Sequence, residues 1–209
     1  MPVDYHNKKG DGGLIAVWRI TETEKDLSEK LMLNSDIELQ LTRLTCPKRR
    51  LEWLASRVLL YETTGCIPHV EYNKNGQPFV KQSEQLISIS HTKGFAAVSI
   101  SPIVTTGVDI EYPSERISRL SPRFVSGTES LFIPTETSSI YHALIWCAKE
   151  TVFKMAAQPG LSFIDDIVVL PFNAEKEGAF CVKYFIKGDK KEVQLLYKLT
   201  TDYYLVWHY

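Results

Sequence analysis

The side chains best suited to chemistry lie in the middle of the chain. In Gly107-Val108-Asp109-Ile110-Glu111 apolar and acidic residues alternate. Strand side chains two apart share a face, so Asp109 and Glu111 project together while Val108 and Ile110 can face a core. Two adjacent carboxylates are hard oxygen donors of the kind that hold Mg²⁺ together with substrate phosphates. The same alternation is also the ordinary pattern of a strand with one solvated face, and taken alone it demands no metal. Further on, Trp146, Glu150 and Lys154 step by four along one side of a helical run, aligning an aromatic, an acid and a base. A glutamate four residues before a lysine is equally a surface helix pair stabilising by about 0.2–0.5 kcal/mol.

Two basic features could hold an anion. Lys48, Arg49, Arg50 and Arg57 occupy the polar side of a segment whose Leu51, Leu54, Ala55, Val58 and Leu59 recur at three- and four-residue spacing. An arginine fork can donate two charge-assisted hydrogen bonds to one phosphate, whereas a solvated helix face would use the same arginines to cover apolar surface with their stems. His91 follows Ile87-Ser88-Ile89-Ser90 in what reads as a hairpin loop, His91 to Gly94. No Gly-x-Ser-x-Gly elbow or acid partner accompanies it, so a hydrolase triad is a poor reading. A phosphate contact and a plain loop histidine both remain open. Gly10, Gly12 and Gly13 precede a strand, match neither a P-loop nor a dinucleotide fingerprint, and read as a flexible terminus.

The elements that must position these residues follow from periodicity and punctuation. A first strand covers Leu14 to Ile20. Thr21 with Glu24 resembles a capping box opening a helix over about residues 22–34. Pro47 sits where a first helical turn tolerates proline, and the amphipathic helix runs to about Tyr61 before Thr64-Gly65. A short strand from His69 to Tyr72 enters the turn Asn73 to Gly76, and Leu86–Ser90 and Phe95–Ile100 form a hairpin. The acidic strand Gly107–Tyr112 opens the second half. A weakly helical stretch follows from Arg116 to Ile133, then a long helix from about Thr137 to Ala157 stopped by Pro159-Gly160, and strands at Ile167–Leu170, Ala179–Lys187, Glu192–Leu199 and Tyr203–Trp207. Each half thus has helices plus an antiparallel meander. The expected fold is α+β, with two similar lobes, residues 1–103 and 104–209, each packing helices on a small sheet, although no sequence repeat proves a duplication.

In this order, Gly76-Gln77-Pro78, Ile87-Ser88-Ile89-Ser90-His91-Thr92, Gly107-Val108-Asp109-Ile110-Glu111 and Trp146-Cys147-Ala148-Lys149-Glu150-Thr151-Val152-Phe153-Lys154 resemble the motif series of the phosphopantetheinyl transferase superfamily. The length is similar to the two-lobed, surfactin-synthetase-activating type. The resemblance implies transfer of the 4'-phosphopantetheine arm of coenzyme A to a serine of an apo acyl, peptidyl or aryl carrier protein, with release of adenosine 3',5'-bisphosphate. It implies Mg²⁺, or Mn²⁺, held by Asp109 and Glu111, with Glu129 by similarity at the third metal position; Ile110 cannot bind metal, so a water or Glu129 must fill that coordination site. Glu150 matches the proposed general base, and Lys149 and Lys154 match lysines near the pyrophosphate. Ser90, His91 and the helix with Arg49, Arg50 and Arg57 correspond to phosphate contacts, and Gly76, Gln77 and Pro78 to the loop beside the adenine. Gln77 stands where the family usually has a basic residue. Since two lobes in one chain replace what shorter relatives build from two, a monomer is expected. A Mg²⁺-dependent nucleotide pyrophosphatase and a silent coenzyme A-binding module are the competing readings.

Composition excludes several other classes. The 209 residues are 44% hydrophobic and 23% charged, with a formal net charge of -1, a balance typical of a folded chain and lacking the positive field that holds nucleic acid. The longest apolar runs are far shorter than the roughly 20 residues of a membrane span. The N-terminal residues carry no apolar signal region, so a cytoplasmic location is expected. Cys46, Cys66, Cys147 and Cys181 form no Cys-x-x-Cys pair and read as reduced packing residues.

Overall fold

A computed structural model of the chain describes residues 3–31, 35–81 and 83–209. The chain divides into two compact units, Met1–Val104 with Tyr209, and Thr105–His208.

In the first unit, β1 (Val3–Lys8) and β2 (Leu14–Arg19) form a hairpin. Its turn uses Gly12 at φ +93°, with the Lys9 N–H donating to the Gly13 carbonyl. The glycine-rich start is therefore a turn rather than a loose terminus. Helix α1 (Glu24–Lys30) opens on a capping box of Thr23 with Asp26, two residues later than Thr21 and Glu24 suggest. The last residues of the helix expected there, 32–34, lie outside the described residues. Then come α2 (Ser35–Thr42) and α3 (Pro47–Thr64), the latter started by its proline and stopped by Gly65 at φ +72°. Strands β3 (Val70–Tyr72), β4 (Pro78–Val80), β5 (Leu86–Thr92) and β6 (Phe95–Ser101) complete an antiparallel sheet ordered β1-β2-β6-β5-β4-β3. Gly94 at φ +78° allows a two-residue turn, so pairing continues to Thr92 opposite Phe95 and places His91 in β5, not in a loop. Leu54, Ala55, Val58 and Leu59 of α3 are buried with Ala16 and Trp18 of β2 and Ala96 and Val98 of β6.

In the second unit, β7 (Gly107–Glu111) leads to α4 (Glu115–Leu120), α5 (Gly127–Ser130) and α6 (Ser138–Ala156). Strands β8 (Ile167–Val169), β9 (Glu177–Ile186), β10 (Asp189–Leu199) and β11 (Tyr204–His208) follow, giving the antiparallel order β7-β11-β10-β9-β8. Leu144, Ala148 and Val152 of α6 pack with Val169, Val182, Leu195 and Val206 of the sheet.

Each unit follows one winding rule. A strand leads into helices, and a four-strand meander returns so that its last member pairs with that first strand: β6 with β2, β11 with β7. The first unit adds β1 outside β2. The chain is thus α+β with two similarly wound halves. Among the described residues no helix is long and apolar enough to cross a membrane. Cys46 and Cys66 are exposed and Cys181 half-buried, and only Cys147 is a fully buried packing residue.

The separation of β7 and α6 is set at Gly107, where an added Cβ would lie 2.6 Å from the Thr151 carbonyl oxygen and 2.6 Å from Met155 Cγ. Because the obstacle includes backbone, Gly107→Ala should cost about 1–3 kcal/mol, read as a lowered calorimetric midpoint. Gly127→Ala, where nothing lies within 4 Å, should change it little.

Candidate active site

The site in the second unit is built by laying one face of α6 across β7. Asp109 is buried and Glu111 half-buried, at register positions opposite Val206 and Tyr204 of β11. From α6, Lys154 Nζ donates to Asp109 Oδ1 at 2.8 Å and to the Val108 carbonyl at 2.8 Å. Two turns back, Trp146 Nε1 donates to Glu111 Oε1 at 3.2 Å. Glu150 lies between them on the same helix face, so the spacing of four that singles out Trp146, Glu150 and Lys154 becomes one row against the acidic strand. Trp146 is wedged edge-on against Phe124, with centroids 5.1 Å apart, and against Phe163 at 5.6 Å.

Electrostatically, this corner holds an excess of negative charge. Burial, reinforced by Asp109 and Glu111 and only partly offset by Lys154, raises the Glu150 carboxyl to about 7. Burial and Asp109 also raise Glu111. The Cys147 thiol is held protonated, well above its usual value, by burial and then by Asp109 and Glu111. Three mutually repelling carboxylates with one ammonium among them form an oxygen donor set that suits a hard divalent cation, which would relieve the repulsion. Among the described residues no three or more His, Cys, Asp and Glu side chains form a ready metal cage. A cation held by these acids would therefore complete its shell with substrate oxygens or water, as Mg²⁺ usually does.

Glu129 and Lys149 depart from the roles that the resemblance implies. Glu129 Oε2 accepts from Lys149 Nζ at 2.8 Å and from the Ser126 N–H at 2.7 Å, while Oε1 accepts from the Val169 N–H at 2.8 Å. Lys149 Nζ also donates to the carbonyls of Phe124 and Phe163. Both side chains are fully buried. Glu129 is thus spent on an ion pair, a capping box and a strand end, and Lys149 has no donor left for a phosphate. Glu150, not Glu129, is the acid brought beside Asp109 and Glu111.

In the first unit the basic helix also divides. Arg49 Nη1 lies 2.6 Å from His91 Nε2, joining α3 to β5. Beneath them Glu52, which the sequence reading passed over, is buried within 3.3 Å of His91 Nδ1, 3.4 Å of Arg49 and 3.6 Å of Lys48. Its only sequence signal is its spacing of three and four from those bases, which does not reveal burial. Arg50 is not part of this cluster. Its fork is paired with Glu24 of α1 and donates to the carbonyls of Leu41 and Leu44, which ties three helices together. Arg57 is buried, stacked over Trp53 at 4.1 Å and bonded to Ser56 Oγ and Tyr72 Oη, out of reach of a surface ligand. Ser90 is buried in β5 opposite Ala97. Gly76, at φ +80°, shapes the turn before β4, Gln77 is bonded to Asn73 within it, and Pro78 begins the strand.

The sign of the Glu150 shift gives a stability test. A carboxyl raised from 4.5 to about 7 on folding contributes stability that is complete below its unfolded value and is lost as pH rises through the folded one. The thermal midpoint of metal-free protein should therefore fall between about pH 5 and about pH 8, and Glu150→Gln should remove much of that slope. An unchanged slope in the variant, followed by scanning calorimetry, would assign the loss to other groups.

No curated protein matches the chain. The family model of the 4'-phosphopantetheinyl transferase superfamily matches residues 105–206, nearly the whole of the unit that carries Asp109, Glu111, Glu150 and Lys154. Over nearly its whole length this second unit is thus similar to the 4'-phosphopantetheinyl transferase superfamily.

Proposed function

We propose that the protein transfers the 4'-phosphopantetheine arm of coenzyme A to the serine of an apo acyl, peptidyl or aryl carrier protein, using Mg²⁺ or Mn²⁺ and releasing adenosine 3',5'-bisphosphate, and that it works as a monomer. The observation that carries this reading is the convergence of Asp109, Glu111, Glu150 and Lys154 on one strand–helix corner, within the segment that matches the superfamily.

Asp109 and Glu111 would hold the divalent ion, with Glu150 beside them. Bound there, the ion would neutralise charge that builds on the pyrophosphate as its bridge breaks. Lys154 orients Asp109 by its hydrogen bond, and its flexible stem lets the ammonium turn toward a phosphate oxygen when one arrives. Glu150, poised near neutrality, is matched to taking the proton of the carrier serine hydroxyl as that oxygen attacks the β-phosphate. Trp146 fixes Glu111 by its N–H, and the aromatic wedge around it limits water on that flank. In the first unit the exposed donors suited to a phosphate are Arg49 and Lys48, with His91 half-buried beside Arg49.

Incubation with coenzyme A, Mg²⁺ and an apo carrier protein, followed by intact mass measurement of the carrier, tests the reading. The carrier should gain the arm. Cleavage of coenzyme A without carrier modification would support a pyrophosphatase instead, and binding with neither event a silent module. Asp109→Ala or Glu111→Ala should abolish transfer. Glu150→Gln should lower turnover by roughly 10² to 10⁴ while coenzyme A still binds. Arg49→Ala should weaken coenzyme A more than dephospho-coenzyme A, whereas Arg50→Ala should lower the thermal midpoint without that bias.

A further inference from the structure

We propose that Glu52 is a positioning residue for anion binding in the first unit: it sets the tautomer of His91 and anchors Arg49, so that the pair closes on a phosphate with uptake of a proton. The proposal rests on the reading above only in taking that phosphate to belong to coenzyme A.

Glu52 is 4% exposed, whereas the side chains of Lys48 and Arg49 are 66% and 58% exposed. The acid therefore lies beneath the bases. A carboxylate placed above them would repel an incoming anion. Placed below, it holds them by charge and leaves the outward side positive, and the cost of burying it is met by the cations around it. Lys48 and Arg49 belong to its own helix, but His91 comes from β5, so the Glu52 carboxylate also pins a strand residue to α3.

The imidazole geometry specifies the proton. Arg49 Nη1 lies across the ring, 2.6 Å from Nε2 and 3.2 Å from Nδ1, and so does not choose between the nitrogens, but the Glu52 carboxylate can only accept and faces Nδ1. Nδ1 then carries the hydrogen and donates it toward Glu52 Oε2 at 3.3 Å. A carboxylate that selects the tautomer also stabilises the imidazolium. When a phosphate draws the Arg49 guanidinium off the ring, Nε2 takes a proton from water and donates it to the same phosphate. Arg49 and Glu52 of α3 face the ring, with Lys48 of the same helix behind them. From β6 its register partner is the neutral Ala96.

Two measurements on the full chain decide the matter. Long-range ¹H–¹⁵N spectra of the ligand-free protein, with the His91 signals assigned through His91→Asn, should show the Nδ1–H tautomer, and Glu52→Gln should shift it toward Nε2–H. An Nε2–H tautomer in the wild type, or no shift in the variant, overturns the proposal. Calorimetry with coenzyme A in two buffers of different ionisation heat should show proton uptake on binding. Glu52→Gln should lose that uptake and bind about ten-fold or more weakly, with turnover at saturating coenzyme A within about three-fold of wild type. Glu52→Asp should retain both uptake and most of the affinity, and an unchanged thermal midpoint excludes a general loss of fold. Equal affinity and equal proton uptake in Glu52→Gln count against the proposal. If the wild type itself fails to bind coenzyme A, the functional reading fails, and the tautomer result still decides the role of Glu52.

Discussion

The second unit depends on a pair of charges placed where no water reaches. Lys149 and Glu129, both fully buried and 2.8 Å apart, would be costly if either stood alone, because an uncompensated buried charge destabilises by about 3–5 kcal/mol. Each is therefore surrounded. The ammonium gathers the carbonyls of Phe124 and Phe163, and the carboxylate takes the N–H groups of Ser126 and Val169. Two irregular segments, one helix and a strand end are thereby referred to a single point on α6. With the inner face of the helix anchored there, the row Trp146, Glu150 and Lys154 has a defined rotation over β7.

The winding of the sheet supplies the other coordinate. β7 begins the second unit, and the meander closes by bringing β11 beside it, so the acidic strand is held by hydrogen bonds on one flank and by the close approach of α6 at Gly107. The Asp109 and Glu111 side chains meet a helix whose distance is set by the absence of a side chain at that glycine. The first unit uses the same winding for a different end. There the strand that closes the meander is β6, and its neighbour β5 presents His91 to Arg49 and Glu52 of α3.

What could be read from the sequence was what is local. The alternation at Asp109 and Glu111 and the four-residue step at Trp146, Glu150 and Lys154 each lie within one element, and both survive as faces of β7 and α6. The boundaries of α6 and the order of the last strands follow from periodicity and from Pro159-Gly160. Strand β1 was missed because Val3–Lys8 is mostly polar, and β4 because it is three residues long and begins with proline. The fates of the buried charges were not legible, since they depend on residues distant in sequence. Arg50 is claimed by Glu24, Lys149 by Glu129, and Arg57 lies under Tyr72. A basic residue on a helix face announces its charge but not which neighbour will use it.

The distribution of cysteines bears on how the protein meets oxidants and alkylating reagents. Thiols react as thiolates and only where reagents can reach them. Cys147, buried in α6 and held protonated beside the acids, meets neither condition. Cys46 and Cys66 are exposed and stand just outside the two ends of α3. A maleimide or a mixed-disulfide reagent will therefore bracket the helix that carries Arg49 and Glu52 and leave α6 unmarked, giving spectroscopic labels a natural foothold at both ends of the anion-binding helix without any engineered cysteine.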